Sequence, residues 1–164
     1  MAVSGLFLLS VVLIHVTVLP AVLPTTFRPD AMLAATVTWG ALAGYRQAVA
    51  LGVVGGFIVD LWGDTPLGLT GLLIGAVAFL TAVGEIPLIP ANVLFPMVTA
   101  FLGELVLQGL RFIMFQALGR PVELVDPMPA IVLLTAASTS LLVLVFYPFA
   151  RWLDRRMKHP RLEW

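Results

Sequence analysis

The chain reads as a succession of apolar runs broken by short turns that carry proline, glycine or charge. A helix that spans a bilayer needs about 20 apolar residues, and about 17–25 is the usual range. Six such runs are predicted: about Ser4 to Leu23, Asp30 to Gly44, Gln47 to Leu61, Leu67 to Gly84, Val93 to Leu118 and Ala130 to Ala150. The segment PTTFRPD, with Pro24 and Pro29 as breakers, parts the first run from the second. WGDTP joins the third to the fourth, and EIPLIPAN holds two prolines that cannot continue a helix. GRPVELVDPMP forms the last polar loop. The second run is short and rich in Ala and Thr, which predicts a helix that is tilted, buried by its neighbours or extended past Tyr45. The expected architecture is an all-α integral membrane protein, with about six helices in one compact bundle over residues 1–150 and a basic cytoplasmic tail over 151–164.

Composition strengthens this picture. Of the 164 residues, 60% are hydrophobic and only 11% charged. Ordinary globular domains run near half apolar and about a quarter charged. A water-soluble chain of this size has no interior large enough for so much apolar surface. The formal net charge is zero, from nine basic and nine acidic residues. No basic surface therefore exists outside the tail, and nucleic acid is excluded as a partner. Without cysteine the chain has no disulfide, no thiol chemistry and no Cys-type zinc site. The N-terminal run lacks the basic start of a cleaved signal peptide and is longer than a usual signal core, so it reads as a retained helix.

Basic residues set the orientation. Arg151, Arg155, Arg156, Lys158 and Arg161 place the tail in the cytoplasm, where they also suit contact with anionic lipid headgroups. Six spans put the N-terminus inside as well and add Arg46 to the inner side. Arg28 and Arg120 then lie outside, and Arg111 lies within a helix. Five spans would move only the N-terminus. Tyr147 and Trp152 are expected as interfacial anchors at the inner end of the last helix, and Trp62 at the outer side.

Candidate chemistry is sparse. Glu104 lies near the middle of the fifth run, where a charge costs about 2.5–3.5 kcal/mol on insertion scales. Gln108 and Arg111 follow at i+4 and i+7, on the same helical face, and make one polar stripe about 10 Å long. Arg111 is near enough to the outer end to snorkel. Glu104 has no such exit, so it must be protonated, paired or facing a hydrated cavity. Two readings stay open for the stripe: an internal clamp between helices, or a site facing a cavity or partner. His15, in mid-span of the first run, reads as a packed, hydrogen-bonded residue, with Glu104 as one conceivable partner.

The stretch GGFIVDLWGDTPLGLTGLL at 55–73 is the most distinctive. Asp60 ends one run and Asp64 sits in the following turn. Their expected role is turn chemistry, with Gly63 allowing positive φ and Pro66 in the first turn of the next helix. Gly52, Gly55 and Gly56 permit close helix approach, inside the bundle or against a partner. Neither a Ser-His pair nor HExxH nor a phosphate-cradling loop accompanies the aspartates, so no catalytic residue, metal site or cofactor is expected, and the chain is not read as an enzyme.

With these residues in place, the chain resembles the rod-shape-determining MreD family of bacteria. FRPD at 27–30, with Arg28 and Pro29, followed by an apolar span with Trp39, looks like that family's first outer turn and second helix. Gly56, Phe57, Asp60, Leu67 and Gly68 match its glycine-containing helix, terminal aspartate and Leu-Gly pair; Gly63 lies in the turn between them. The motif match covers roughly residues 27–80, and beyond Thr81 the likeness is one of layout. The resemblance implies a non-enzymatic role in the inner membrane, in cell-shape control and peptidoglycan synthesis. It implies MreC as direct partner, with MreB, RodA and its paired transpeptidase in the same elongation complex. It also implies a fold similar to the substrate-binding subunits of energy-coupling-factor vitamin transporters, which supplies the rival function. Such a subunit is expected to carry Ala-xxx-Ala in its first helix. Here the first helix has no such pattern, and Ala31 and Ala35 are in the second.

Overall fold

A computed structural model of the chain describes residues 10–18, 21, 28–62, 66–84, 93–119 and 128–157. Among these residues the chain is all-helical. An N-terminal helical segment over residues 10–18 widens into a π-helical turn at Ile14–Val18. Five α-helices follow: α1 (Ala31–Ala43), α2 (Tyr45–Trp62), α3 (Leu69–Gly84), α4 (Leu94–Ala117) and α5 (Met128–Met157). Their bounds lie within two residues of those expected, except at the end of α5. α2 begins two residues early, because Gly44 alone separates it from α1. α5 runs on to Met157, through the expected start of the tail.

α1 is the hub of the fold. It touches each of the other four α-helices and the π-turn. Every residue from Ala31 to Gly40 is buried, including the whole Trp39 ring. Its 13 residues span about 20 Å, which is short of the roughly 30 Å of hydrocarbon in a bilayer. Of the three alternatives for this short run, burial by neighbours is the one observed. The chain reverses at Gly44, whose φ of 88° favours glycine. The reversal brings position 40 against Ala48, where a Cβ on Gly40 would lie 3.1 Å from the Ala48 Cβ. The Trp39 indole N–H also donates to Gln47 Oε1 across the same turn, at 3.2 Å.

α2 and α3 form the most extensive helix pair. Gly52 and Gly56 on α2 face Gly75 and Gly71 on α3. A Cβ on Gly56 would come within 2.4 Å of the Gly71 Cα, and one on Gly52 within 2.9 Å of the Gly75 nitrogen. The glycine face therefore lies inside the bundle, against α3. Gly103 of α4 meets the Val77 side chain of α3 in the same way, at 2.8 Å.

The outward faces of the bundle are apolar. Phe57, Leu72, Leu80, Leu102, Ile113 and Val145 are each exposed by more than two-fifths. Apolar exposure on this scale suits a membrane or partner contact. Two helices, Leu94–Ala117 and Pro129–Arg156, are long and apolar enough to cross a membrane. Trp62 and Trp152 are exposed, as anchors must be, but Tyr147 is buried. It follows Val143 by four residues on the inward stripe that continues to Ala150 and Asp154, so its helical phase turns it into the bundle and away from an interface.

Candidate functional site

Asp30 is the centre of a polar cluster built from four segments. It caps α1: its Oδ1 accepts the Leu33 backbone N–H at 2.9 Å. A carboxylate here faces the positive end of the helix dipole. Pro29 before it is buried and Arg28 exposed. The Asp30 backbone N–H donates to Thr139 Oγ1 of α5 at 2.9 Å. Arg111 of α4 brings Nη2 to 3.6 Å from Asp30 Oδ2, and His15 brings Nδ1 to 3.8 Å from Oδ1. Both separations are ion-pair distances, longer than a hydrogen bond. His15 Nδ1 and Arg111 Nε are buried without a hydrogen-bond partner.

Glu104 stands on the other side of Thr139. It is fully buried. Its Oε1 accepts from the Gln108 amide at 2.9 Å, which is the i,i+4 contact expected on this face. Its Oε2 lies 3.5 Å from the Thr139 hydroxyl. Thr139 thus connects the start of α1 to the middle of α4. Two members of the stripe Glu104–Gln108–Arg111 reach other elements, Glu104 to Thr139 of α5 and Arg111 to Asp30 at the start of α1. Arg111 does not snorkel outward; its side chain is 24% exposed and turns to Asp30. The His15 imidazole likewise faces Asp30, not Glu104, because its π-turn packs on the start of α1.

Two members of this cluster escaped the sequence reading. Asp30 was absorbed by the helix-start pattern of FRPD, and Thr139 by an apolar helix. The available signals were a carboxylate opening a helix with no exposed face, and the density of hydroxyls in TAASTS at 135–140.

Asp60 has a separate task. It is buried at the end of α2, and its Oδ2 accepts the backbone N–H groups of Gly68 at 2.9 Å and Thr70 at 3.1 Å. One carboxylate therefore ends one helix and satisfies the opening donors of the next. This is turn chemistry, with two details revised. Pro66 precedes α3 instead of sitting in its first turn; its carbonyl accepts the Leu69 N–H at 3.2 Å. Gly68, at φ 90°, is the positive-φ residue of this turn among those described, while Gly63 and Asp64 lie outside them.

At the far end of α5, Arg151, Arg155 and Arg156 are exposed on the helix itself; Lys158 lies outside the described residues. The Arg156 guanidinium sits 4.5 Å from the centre of the Trp152 ring, which stacks on Phe149. An aromatic ring carrying a cation suits the headgroup region of a bilayer.

The arrangement is suited to holding helices together. Among the described residues, no group of three or more His, Cys, Asp or Glu side chains is placed to hold a metal ion. No protein-family model matches the chain, and no curated protein or solved structure matches it.

Proposed function

We propose that the chain is a non-enzymatic, multi-pass scaffold of the bacterial inner membrane, similar to MreD, that holds MreC in the cell-elongation complex. The observation that carries this reading is the stretch at 55–73, whose glycines, terminal aspartate and Leu-Gly pair resemble that family's most characteristic segment. The way these residues are used agrees with a scaffold. Asp60 is committed to capping α3, and Gly56 to contact with α3. Each does architectural work.

On this reading the bundle crosses the membrane six times, with both termini in the cytoplasm and Arg28 on the outer side. The exposed apolar faces meet lipid and the membrane helix of MreC, and outer turns orient its soluble part. Arg151, Arg155, Arg156 and Lys158 fix the inner end against anionic headgroups. RodA, its transpeptidase and MreB associate through MreC.

The test is co-purification of the full chain with MreC from co-expressing cells, with photo-crosslinking residues placed along the N-terminal helix, α2 and α4. Recovery of MreC, with crosslinks confined to one or two helix faces, is expected. Tight vitamin binding by the purified chain without any recovery of MreC would replace the scaffold by the transporter-subunit reading.

A further inference from the structure

We propose that the cluster around Asp30 is a proton-binding site inside the membrane, in which Glu104 holds one proton as a carboxylic acid and Asp30 is the ionised partner of Arg111. The inference rests on charge and on hydrogen-bond geometry. The cluster contains two carboxylates, Asp30 and Glu104, one guanidinium, Arg111, and one imidazole, His15. With His15 neutral and both acids ionised, it carries one net negative charge in a bundle whose outer surface is apolar. A single unpaired charge at that depth is costly. One bound proton brings the sum to zero.

The surroundings of the two acids differ, and the difference places the proton. Asp30 faces donors and cations only: the Leu33 N–H, Arg111 Nη2 and the His15 ring, at the positive end of α1. That environment sets the carboxyl against the Arg111 cation. Neither ion pair of the cluster includes Glu104. Its Oε1 receives the Gln108 amide, and its Oε2 faces a hydroxyl. A carboxylic acid has one oxygen that accepts and one that donates, and a hydroxyl oxygen has two lone pairs. The Thr139 hydroxyl, which donates to Glu104 Oε2 when the acid is ionised, can turn: its oxygen accepts the Asp30 N–H and has a second lone pair for a Glu104 O–H.

The other elements supply no competing charge. α3, which packs against α4, contains no titratable side chain. α5 brings only the Thr139 hydroxyl to the carboxyl, and Asp60 of α2 is engaged by Gly68 and Thr70. His15, with a side chain 20% exposed, lies at the rim of the cluster. Binding of the proton keeps α4 on the start of α1; its loss would set two ionised carboxylates on either side of Thr139.

Infrared spectroscopy of the full chain in lipid vesicles at neutral pH tests this. The expected spectrum has the carbonyl band of a protonated carboxylic acid that shifts downward in deuterated water. The band disappears in Glu104→Gln and moves to higher frequency in Thr139→Val, which removes the hydroxyl acceptor. Absence of the band from the unaltered chain, or its persistence in Glu104→Gln, would overturn the proposal. Should Glu104→Gln fail to fold, Thr139→Val decides: a band that does not move also overturns it.

Discussion

The α2–α3 seam and the cluster around Asp30 bind helices by opposite means. At the seam, four glycines remove side chains so that two backbones meet, with Gly56 and Gly71 in direct apposition. At the cluster, Asp30, Arg111, Glu104 and Thr139 reach across gaps that backbones do not close. Lipid tails are as apolar as leucine, so burial of apolar surface does not by itself drive helices together in a bilayer. Close dispersion contact and polar links remain, and this molecule assigns the first to α2 and α3 and the second to the start of α1, α4 and α5. The seam is extended and has no single essential atom. The cluster concentrates its effect on one carboxylate.

That contrast is tested most severely at Asp30. Asp30→Ala removes the Arg111 counter-charge, the cap on Leu33 and the contact with His15 at once. Breaking a buried pair by deleting one partner costs about 3–5 kcal/mol; partial exposure of Arg111 sets the lower end. The unfolding midpoint in mixed micelles should fall accordingly. An effect below that of Gly56→Ala would show that the seam dominates.

Gly56→Ala comes next. Its Cβ would meet backbone atoms of Gly71, which have no rotamer to escape into. Overpacking of this kind costs about 1–3 kcal/mol, against a gain near 1 kcal/mol from the better helix former. Gly109→Ala is the control, because nothing lies within 4 Å of that position. It should leave the unfolding midpoint unchanged or raised. Equal losses at both positions would remove close backbone contact as the basis of the seam.

The helices were legible because prolines and glycines punctuate the apolar runs at nearly every boundary. The seam was half legible. Its glycine spacing shows on α2, but a spacing on one helix does not name the helix that answers it. The stripe Glu104–Gln108–Arg111 was visible as an i, i+4, i+7 face, while its partners were not, because they lie 35 to more than 70 positions away. Thr139 was hidden by a general habit of helical threonines. Thr36, Thr38, Thr81 and Thr135 all donate to the carbonyl four residues earlier. Thr139 looks the same in sequence, yet it bonds across to α1 and α4. The extension of α5 was missed because Arg151–Met157 is polar by composition, although Asp154 faces inward and the arginines outward.

Asp60 tests the boundary between the two regions, since it is a charge placed at the end of the glycine seam. Asp60→Ala leaves the Gly68 and Thr70 N–H groups without their shared acceptor. Loss of a helix cap costs about 1 kcal/mol, within a range of roughly 0.5–2. Hydrogen exchange should rise at the first turn of α3 and not at the Gly52–Gly75 contact. Exchange rising along all of α2 and α3 would show that the cap and the seam are one unit.

The smallest effect is expected at the residue that looks most expensive in sequence. Glu104→Gln keeps the size of the side chain, keeps an oxygen for the Gln108 amide and keeps a donor toward Thr139. If the cluster depends on shape and hydrogen bonds at this position, with its ionic attraction confined to Asp30 and Arg111, the unfolding midpoint should stay within error of the unaltered chain. A loss comparable to that of Asp30→Ala would mean that Glu104 acts as a charge. The cluster would then be a three-membered ionic network, and the difference between its two acids would vanish. Measured together, the two substitutions distinguish a carboxyl group held for its geometry from one held for its charge.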